Sequence, residues 1–372
     1  MGVAQRSRRW LVPVATVAVV AGVGALGPVV ADASPKLPGI TAQDLLANVQ
    51  TAKVDGLSGT VRSATDLGLP SLPGMHDGGS NQILDLLNGE HTARVAFASP
   101  DKARVSVLDN MAERMWTTDG TSAWAYDSSK REAVKLTVPA RTSKPEKATP
   151  QDYNPQAVAK QFLDAIDPTT TVDVSGTEKV AGRDAYKLRL VPKTDKTTVG
   201  SVTLAVDSKT WVPLEVTVMP RTGNNPAVQL GFSSVSFDVP PASTFAFTPP
   251  PGVKVTEKAP AAGEIPKQGT PPKAIGPKGE KPGKPGTAKS GGPTVIGTGW
   301  ESVAMVRGVT ATTGNAALDQ LLAKAPTVQG SWGTGKVLTS KMVSVLITDD
   351  GRVFVGLVTP DTLQAAAAKA PR

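Results

Sequence analysis

The chain has 372 residues, no cysteine, two histidines and a formal net charge of +8. This length allows two domains of ordinary size, and the lack of cysteine excludes disulfides, thiolate chemistry and a lipid-modified cysteine anchor. Residues 1–33 carry a net charge of +2 and residues 249–293 carry +5, so about +1 remains for the rest and no nucleic-acid partner is expected.

The first 33 residues are typical of an export segment. Three arginines precede an apolar run from Val14 to Leu26, and Ala31-Asp32-Ala33 has the small residues of a signal-peptide cleavage site. The rival interpretation is an uncleaved anchor, because residues 10–31 are long enough to span a bilayer but only weakly hydrophobic. In either case we expect the body to be extracytoplasmic, secreted or tethered to the outer face of the cytoplasmic membrane.

The hydrophobic pattern of residues 37–250 predicts a large antiparallel sheet with two helices. Thr41–Val54 has a helical apolar stripe behind a Thr N-cap, and Leu57–Leu69 has a strand pattern. His91–Val138 then alternates through five short segments, as an antiparallel meander with one buried face does. A second helix opens at Asn154-Pro155, and further strands run from Thr171 to Val239. We therefore expect ten or eleven strands in one curved, unclosed sheet.

The composition and pattern of residues 251–372 predict a linker followed by a small module. Residues 249–293 hold 11 Pro, 9 Gly and 8 Lys and no aromatic residue, so residues 251–293 are expected to be a disordered linker. Residues 294–372 show strands, an amphipathic helix, a tight Asp350-Gly351 turn and a terminal helix capped by Thr359. The fold class is thus α+β: an unclosed β-barrel with a helical lid, plus a small C-terminal α+β module.

No motif for catalysis or cofactor binding is complete. Gly330–Lys336 fits the start of a phosphate-binding loop, but Val337 and a strand pattern follow where a hydroxyl residue and a helix are needed. His76 and His91 lack partners at metal-ligand spacing. Asp349 and Asp350 are not surrounded by the alternating carboxylates of a calcium loop. We therefore expect no enzyme, no cofactor and no metal site.

The apolar side chains of the strands allow two interpretations. They can form an ordinary core between the sheet and its helices. Alternatively, two helices cannot fill so wide a curved sheet, and the unfilled part is a cavity for a hydrophobic ligand. The side chains expected to line that cavity are Val61, Val95, Phe97, Val105, Val107, Met115, Trp124, Tyr126, Leu136, Leu188, Leu190, Leu204, Leu214, Val216 and Phe232.

Several stretches resemble a known family. They are RMWTTDGTSAWAYDSSKREAVKL (residues 114–136), VAGRDAYKLRLVPK (180–193), VTLAVDSKTWVPLEVTV (202–218) and FAFTPPPGVKV (245–255). Together they resemble the LolA-like lipoprotein carriers, the RseB-type periplasmic sensors and the mycobacterial LppX-type lipid carriers. The resemblance covers residues 40–255 and implies a half-open barrel with helices as a lid over a cavity for acyl chains.

Two features depart from the plain carrier pattern. LolA-type carriers often have an arginine that latches the lid before the proline of the second meander strand, and here that position is Ser99. The module after the linker is instead similar in arrangement to the RseB-type sensors, which bind an anti-sigma factor.

Two functional hypotheses follow. The first is a non-enzymatic, monomeric carrier or chaperone that holds a lipid or lipoprotein acyl chain. The alternative is an envelope-stress regulator that binds an anti-sigma factor or another membrane protein partner through residues 294–372. An enzyme acting on cell-wall material ranks third.

Overall fold

A computed structural model describes residues 34–68, 89–109, 112–137, 163, 168–258, 294–307 and 316–371. The predicted export segment, the predicted second helix apart from residue 163, and the predicted linker from residue 259 onward lie outside these ranges. The described residues form a twelve-stranded sheet, a six-stranded sheet and three α-helices. None of these helices is long and apolar enough to cross a membrane.

The large sheet consists of two meanders and a final strand. Its strands are β1 (Gly56–Thr65), β2 (Gly89–Ala98), β3 (Lys102–Asp109), β4 (Ala112–Thr118), β5 (Ser122–Asp127), β6 (Glu132–Thr137), β7 (Thr170–Val180), β8 (Arg183–Pro192), β9 (Val199–Asp207), β10 (Pro213–Pro220), β11 (Val228–Ser236) and β12 (Lys254–Lys258). Their order is β12-β6-β5-β4-β3-β2-β1-β11-β10-β9-β8-β7, so β12 and β7 are free edges and the barrel is unclosed. The predicted fold class is confirmed.

One strand differs from the predicted antiparallel pattern. β12 pairs with β6 in parallel, with Lys254 opposite Glu132 and Lys258 opposite Leu136. The sheet therefore continues to Lys258, beyond residue 250, the predicted end of the first domain. Because the two strands are more than 100 residues apart, no local pattern encodes this pairing.

The turn between β4 and β5 fixes the register of the meander. One carboxylate oxygen of Asp119 accepts hydrogen bonds from the backbone N–H groups of Thr121 and Ser122, each 2.8 Å long. Burial disfavours the charged carboxylate, but these bonds and those from the two hydroxyls outweigh it and lower the pKa of Asp119 to about 2. Gly120 has φ +94°, and a Cβ there would lie 2.7 Å from the Asp101 carboxylate, so the turn requires glycine.

Helix α1 (Ala42–Thr51) covers one end of the sheet. The Thr41 hydroxyl caps it by accepting the Asp44 backbone N–H at 3.0 Å, a contact typically worth about 1 kcal/mol. The fully buried Leu45 packs against Tyr186 and Leu188, and Leu46 and Val49 of the predicted stripe join the same cluster. The hydrophobic face predicted for this helix is thus its packing face.

A segment after β11 crosses the other face of the sheet. We call residues 242–258 the strap; it begins with a 3₁₀ turn, η1 (Ala242–Thr244), and ends in β12. Phe245 is buried against Ala96 and Ala98. The Thr117 hydroxyl donates to the Phe245 carbonyl at 3.0 Å, so the strap is fixed to β4 as well as to β6.

The C-terminal module is a second sheet with one helix-covered face. Its elements are β13 (Thr294–Ile296), η2 (Gly299–Glu301), β14 (Val303–Arg307), α2 (Ala316–Lys324), β15 (Thr327–Gly330), β16 (Gly333–Thr339), β17 (Ser344–Thr348), β18 (Arg352–Gly356) and α3 (Pro360–Lys369). Leu363 of α3 packs on Leu346 and Phe354. Gly330–Lys336, which fits the start of a phosphate-binding loop, lies in the β15–β16 hairpin and not between a strand and a helix.

The module is docked on the large sheet. Thr197 forms an antiparallel bridge with Val358, and the Thr198 N–H donates to the Leu357 carbonyl at 3.1 Å. Met342 is buried together with Val199 of β9 and with Ala227. Backbone pairing and a shared apolar cluster therefore join the two sheets at the ends of β8 to β11.

Candidate ligand-binding face

One face of the β2–β6 meander is apolar along two neighbouring rows. We call it the apolar face. The first row, read across the strands from their pairing, is Val95, Val105, Trp116, Ala125 and Val134. The second row is Phe97, Ala103, Thr118, Ala123 and Leu136. Four strand spacings separate the ends of each row, a distance of about 19 Å.

Burial on the apolar face is greatest at β2 and least at single positions of β4 and β6. Val95 is only 8% exposed, whereas Trp116 on β4 is 47% exposed and Leu136 on β6 is 41% exposed. The same surface is therefore packed core at β2 and carries solvent-exposed apolar side chains on β4 and β6. A large exposed tryptophan that continues a core row is unusual for a soluble surface and marks a candidate contact site.

Charged residues border the apolar face. The adjoining row reads Val107, Arg114, Asp127 and Glu132 from β3 to β6. Burial opposes ionisation of Asp127, but hydrogen bonds from Ser129 and Lys130 together with the Lys130 charge lower its pKa. The border consequently carries a fixed negative charge beside Arg114 at neutral pH.

Most of the predicted cavity residues are packed. The central cluster includes six of them: Val61, Val95, Val105, Val107, Leu214 and Phe232. Three more, Leu188, Leu190 and Leu204, belong to the cluster under α1. Val216 pairs with Leu204 and is half-buried, as is Phe97 opposite Ala103. In these places the residues fill space between elements, and Leu136 is the predicted residue that stands exposed on the apolar face.

The other three predicted residues lie on the opposite face of the sheet. Met115, Trp124 and Tyr126 alternate with the apolar-face residues and point toward the strap. Phe247 of the strap contacts both aromatic rings, with centroids 5.4 Å from Trp124 and 5.3 Å from Tyr126. The structure therefore does not bring these three together with the other twelve.

Trp116 was missing from the predicted site. The signal was present in the sequence: the Asp119-Gly120 turn sets which residues of β4 and β5 face the same way, and it places Trp116 with Ala125. In the described part of the chain, no three His, Asp or Glu side chains are grouped as a metal site would need.

Comparisons with known proteins find solved structures that are similar to this chain, all at low sequence identity. No family model and no curated protein matches the sequence. The Pseudomonas aeruginosa MucA/MucB complex is similar at 15% identity, covering 88% of this chain and 96% of that chain, with a TM-score of 0.42. A LolA superfamily protein from Nitrosomonas europaea is similar at 14% identity, covering 56% and 99%, with a TM-score of 0.20.

Proposed function

We propose that the chain is an extracytoplasmic, non-enzymatic protein that holds an acyl chain of a lipid or lipoprotein on the apolar face. The observation that carries the proposal is the exposure of Trp116, in the middle of one row, and of Leu136, at the β6 end of the next, on a face whose rows begin in the core. The face offers side chains and no free strand edge, so it suits an apolar ligand better than an extended peptide.

The free energy expected from burying an acyl chain on this face is sufficient for binding. Each methylene removed from water contributes about 0.8 kcal/mol, so ten methylenes laid across β3–β6 contribute about 8 kcal/mol before the costs of association. The row length of about 19 Å gives one extended acyl chain continuous contact with successive strands. The charged border at Arg114 and Asp127 would keep a polar headgroup at the rim.

Substitution of Trp116 tests the proposal. Trp116→Ser removes the largest exposed apolar side chain of the face without opening a core, and it should weaken binding of a fluorescent fatty acid by about tenfold or more. Trp124→Leu is the matched control, because that tryptophan lies on the opposite face. Equal weakening by both variants, or no uptake by the unsubstituted protein, would contradict an acyl site on this face.

A regulator that binds a protein partner is the second candidate. It is favoured by the outer face of the second sheet, where Val306, Val355 and Leu357 are each at least 36% exposed. The row Val295, Ala304, Val355, Val345 and Leu338 continues this apolar surface across five strands.

Val355→Asp in the full chain should abolish association with a periplasmic partner domain and leave fatty-acid binding unchanged. Loss of fatty-acid binding alone would argue against a separate partner surface.

A further inference from the structure

A solvent-open groove with a volume of about 410 Å³, which we call the cavity, lies between the strap and strands β3–β5, on the face opposite the apolar face. Met115, which is 1% exposed, lies among its lining residues. Tyr126 and Phe247 line it with rings 5.3 Å apart, and Pro250 lines it from the strap. The volume lies within the range of small-molecule sites.

Hydrogen bonds hold the strap in place on both sides of this cavity. On one side, Nη1 of Arg104 donates to the Thr244 carbonyl at 3.1 Å. On the other, Nη2 of Arg131 donates to the Pro251 carbonyl at 3.3 Å, and the Lys254 N–H donates to the Arg131 carbonyl at 2.9 Å. The cavity is therefore preformed, which lowers the cost of ordering it around a ligand.

Three polar groups on the cavity wall have unused hydrogen-bonding capacity. Arg104 uses Nε and Nη1, and within the described residues its Nη2 makes no hydrogen bond. Across the same residues, Glu113 forms hydrogen bonds only through its backbone, and the Tyr126 side chain makes contact only through its ring, so the carboxylate and the hydroxyl are available. A guanidinium, a carboxylate and a hydroxyl around an apolar floor are the kind of polar groups that orient a ligand.

The two charges are spaced along the cavity. Arg104 pairs with Thr117 across the β3–β4 ladder, so its Cα lies four residues from that of Glu113, about 14 Å along the strand. Nε of Arg104 donates to the Ser106 hydroxyl at 3.5 Å, and Ser106 pairs with Met115. The guanidinium therefore extends toward Glu113, and the two charged groups are closer than their Cα atoms. Met115 lies between the two positions. The ligand that matches this order has an anionic end, an apolar middle and a cationic end. An extended dipeptide spans about 7 Å.

We propose that this cavity binds a small zwitterion with apolar side groups, of the size of a dipeptide. Its carboxylate would accept from Arg104, its ammonium would donate to Glu113, and its side groups would contact Met115 and Phe247. Charge-assisted hydrogen bonds of this kind are about twice as strong as neutral ones. The ligand would touch both sheet and strap, so its binding stabilises the strap.

Calorimetric titration of the full chain with leucyl-leucine tests the proposal. We expect saturable binding that N-acetylation of the dipeptide weakens about tenfold, because the ammonium is lost. Glu113→Gln should bind the free dipeptide about tenfold less tightly and lose this discrimination. Glu90→Gln, a carboxylate on β2 outside the cavity lining, is the matched control and should bind like the unsubstituted protein.

A structural readout separates this site from the apolar face. Leucyl-leucine should slow amide hydrogen exchange in residues 245–254 of the strap and leave fatty-acid binding unchanged. No heat of binding at millimolar dipeptide, equal affinity for the acetylated form, or unchanged affinity in Glu113→Gln would each overturn the proposal. The Glu113 side chain has no partner among the described residues, so this variant should fold normally.

Discussion

Trp116 and Trp124 lie on adjacent strands of one meander and have opposite environments. Trp116 is 47% exposed on the apolar face. Trp124 contacts Phe247 of the strap on one side and has the Lys135 ammonium 5.5 Å from its ring centre. Strand alternation assigns the two rings to different faces, but a segment more than 100 residues later decides which face is covered. The face of the sheet that a side chain takes follows from residues close to it in sequence, whereas its exposure to solvent depends on segments far away in the chain.

The largest expected effect comes from removing the anchor of the strap. Phe245 is 1% exposed, so Phe245→Ala should lower the free energy of unfolding by about 3–5 kcal/mol. Urea denaturation measures it. Val255→Ala, at a position in the same strap that is 43% exposed, is the control and should change stability by no more than about 0.5 kcal/mol. Similar effects of the two substitutions would mean that the strap does not cover the sheet through Phe245.

Substitution of Trp124 should lower the free energy of unfolding more than substitution of Trp116, although Trp116 is the tryptophan expected to matter for ligand binding. Trp124→Ser removes the contact with Phe247 and should cost about 2 kcal/mol of unfolding free energy. Trp116→Ser should cost less, about 1 kcal/mol, because about half of that side chain is already in solvent. Chemical denaturation of the two variants side by side checks this, and a larger loss for Trp116→Ser would reverse the assignment of the faces.

A smaller effect is expected from the turn that sets the register of both rings. The pKa of Asp119 is about 2 in the fold and 3.8 ordinarily, so folding favours its charged form. Its contribution to stability is therefore complete above about pH 4 and is lost as the pH falls toward about 2. Asp119→Asn should show a weaker pH dependence than the unsubstituted protein in this window. Parallel denaturation curves between about pH 2 and pH 5 would contradict this.

Local patterns of the sequence predict many elements of the fold. The Thr41 cap and its apolar stripe specify α1, and the alternation around Asp119-Gly120 specifies β4 and β5. These features depend on residues close together in the chain, so propensity and periodicity suffice. Val61 and Phe232 show the limit, because they meet through the β1–β11 pairing of residues about 170 positions apart.

The candidate site could be predicted only in part for the same reason. Leu136 on the apolar face follows from alternation. Met115 and Tyr126 have the composition of a cavity lining, but whether they meet Val105 or the strap depends on which face each side chain takes and on where residues 242–258 return. The parallel pairing of β12 with β6 comes after a proline-rich stretch that is typical of a chain leaving its domain.

Native mass spectrometry of the full chain, purified without detergent, tests the proposed acyl-chain binding most directly. The unsubstituted protein and Trp124→Leu should carry a bound mass that organic extraction releases as lipid, and Trp116→Ser should have lost most of it. A bare protein mass for all three, with no uptake of added fatty acid, would contradict a lipid-binding role for the apolar face.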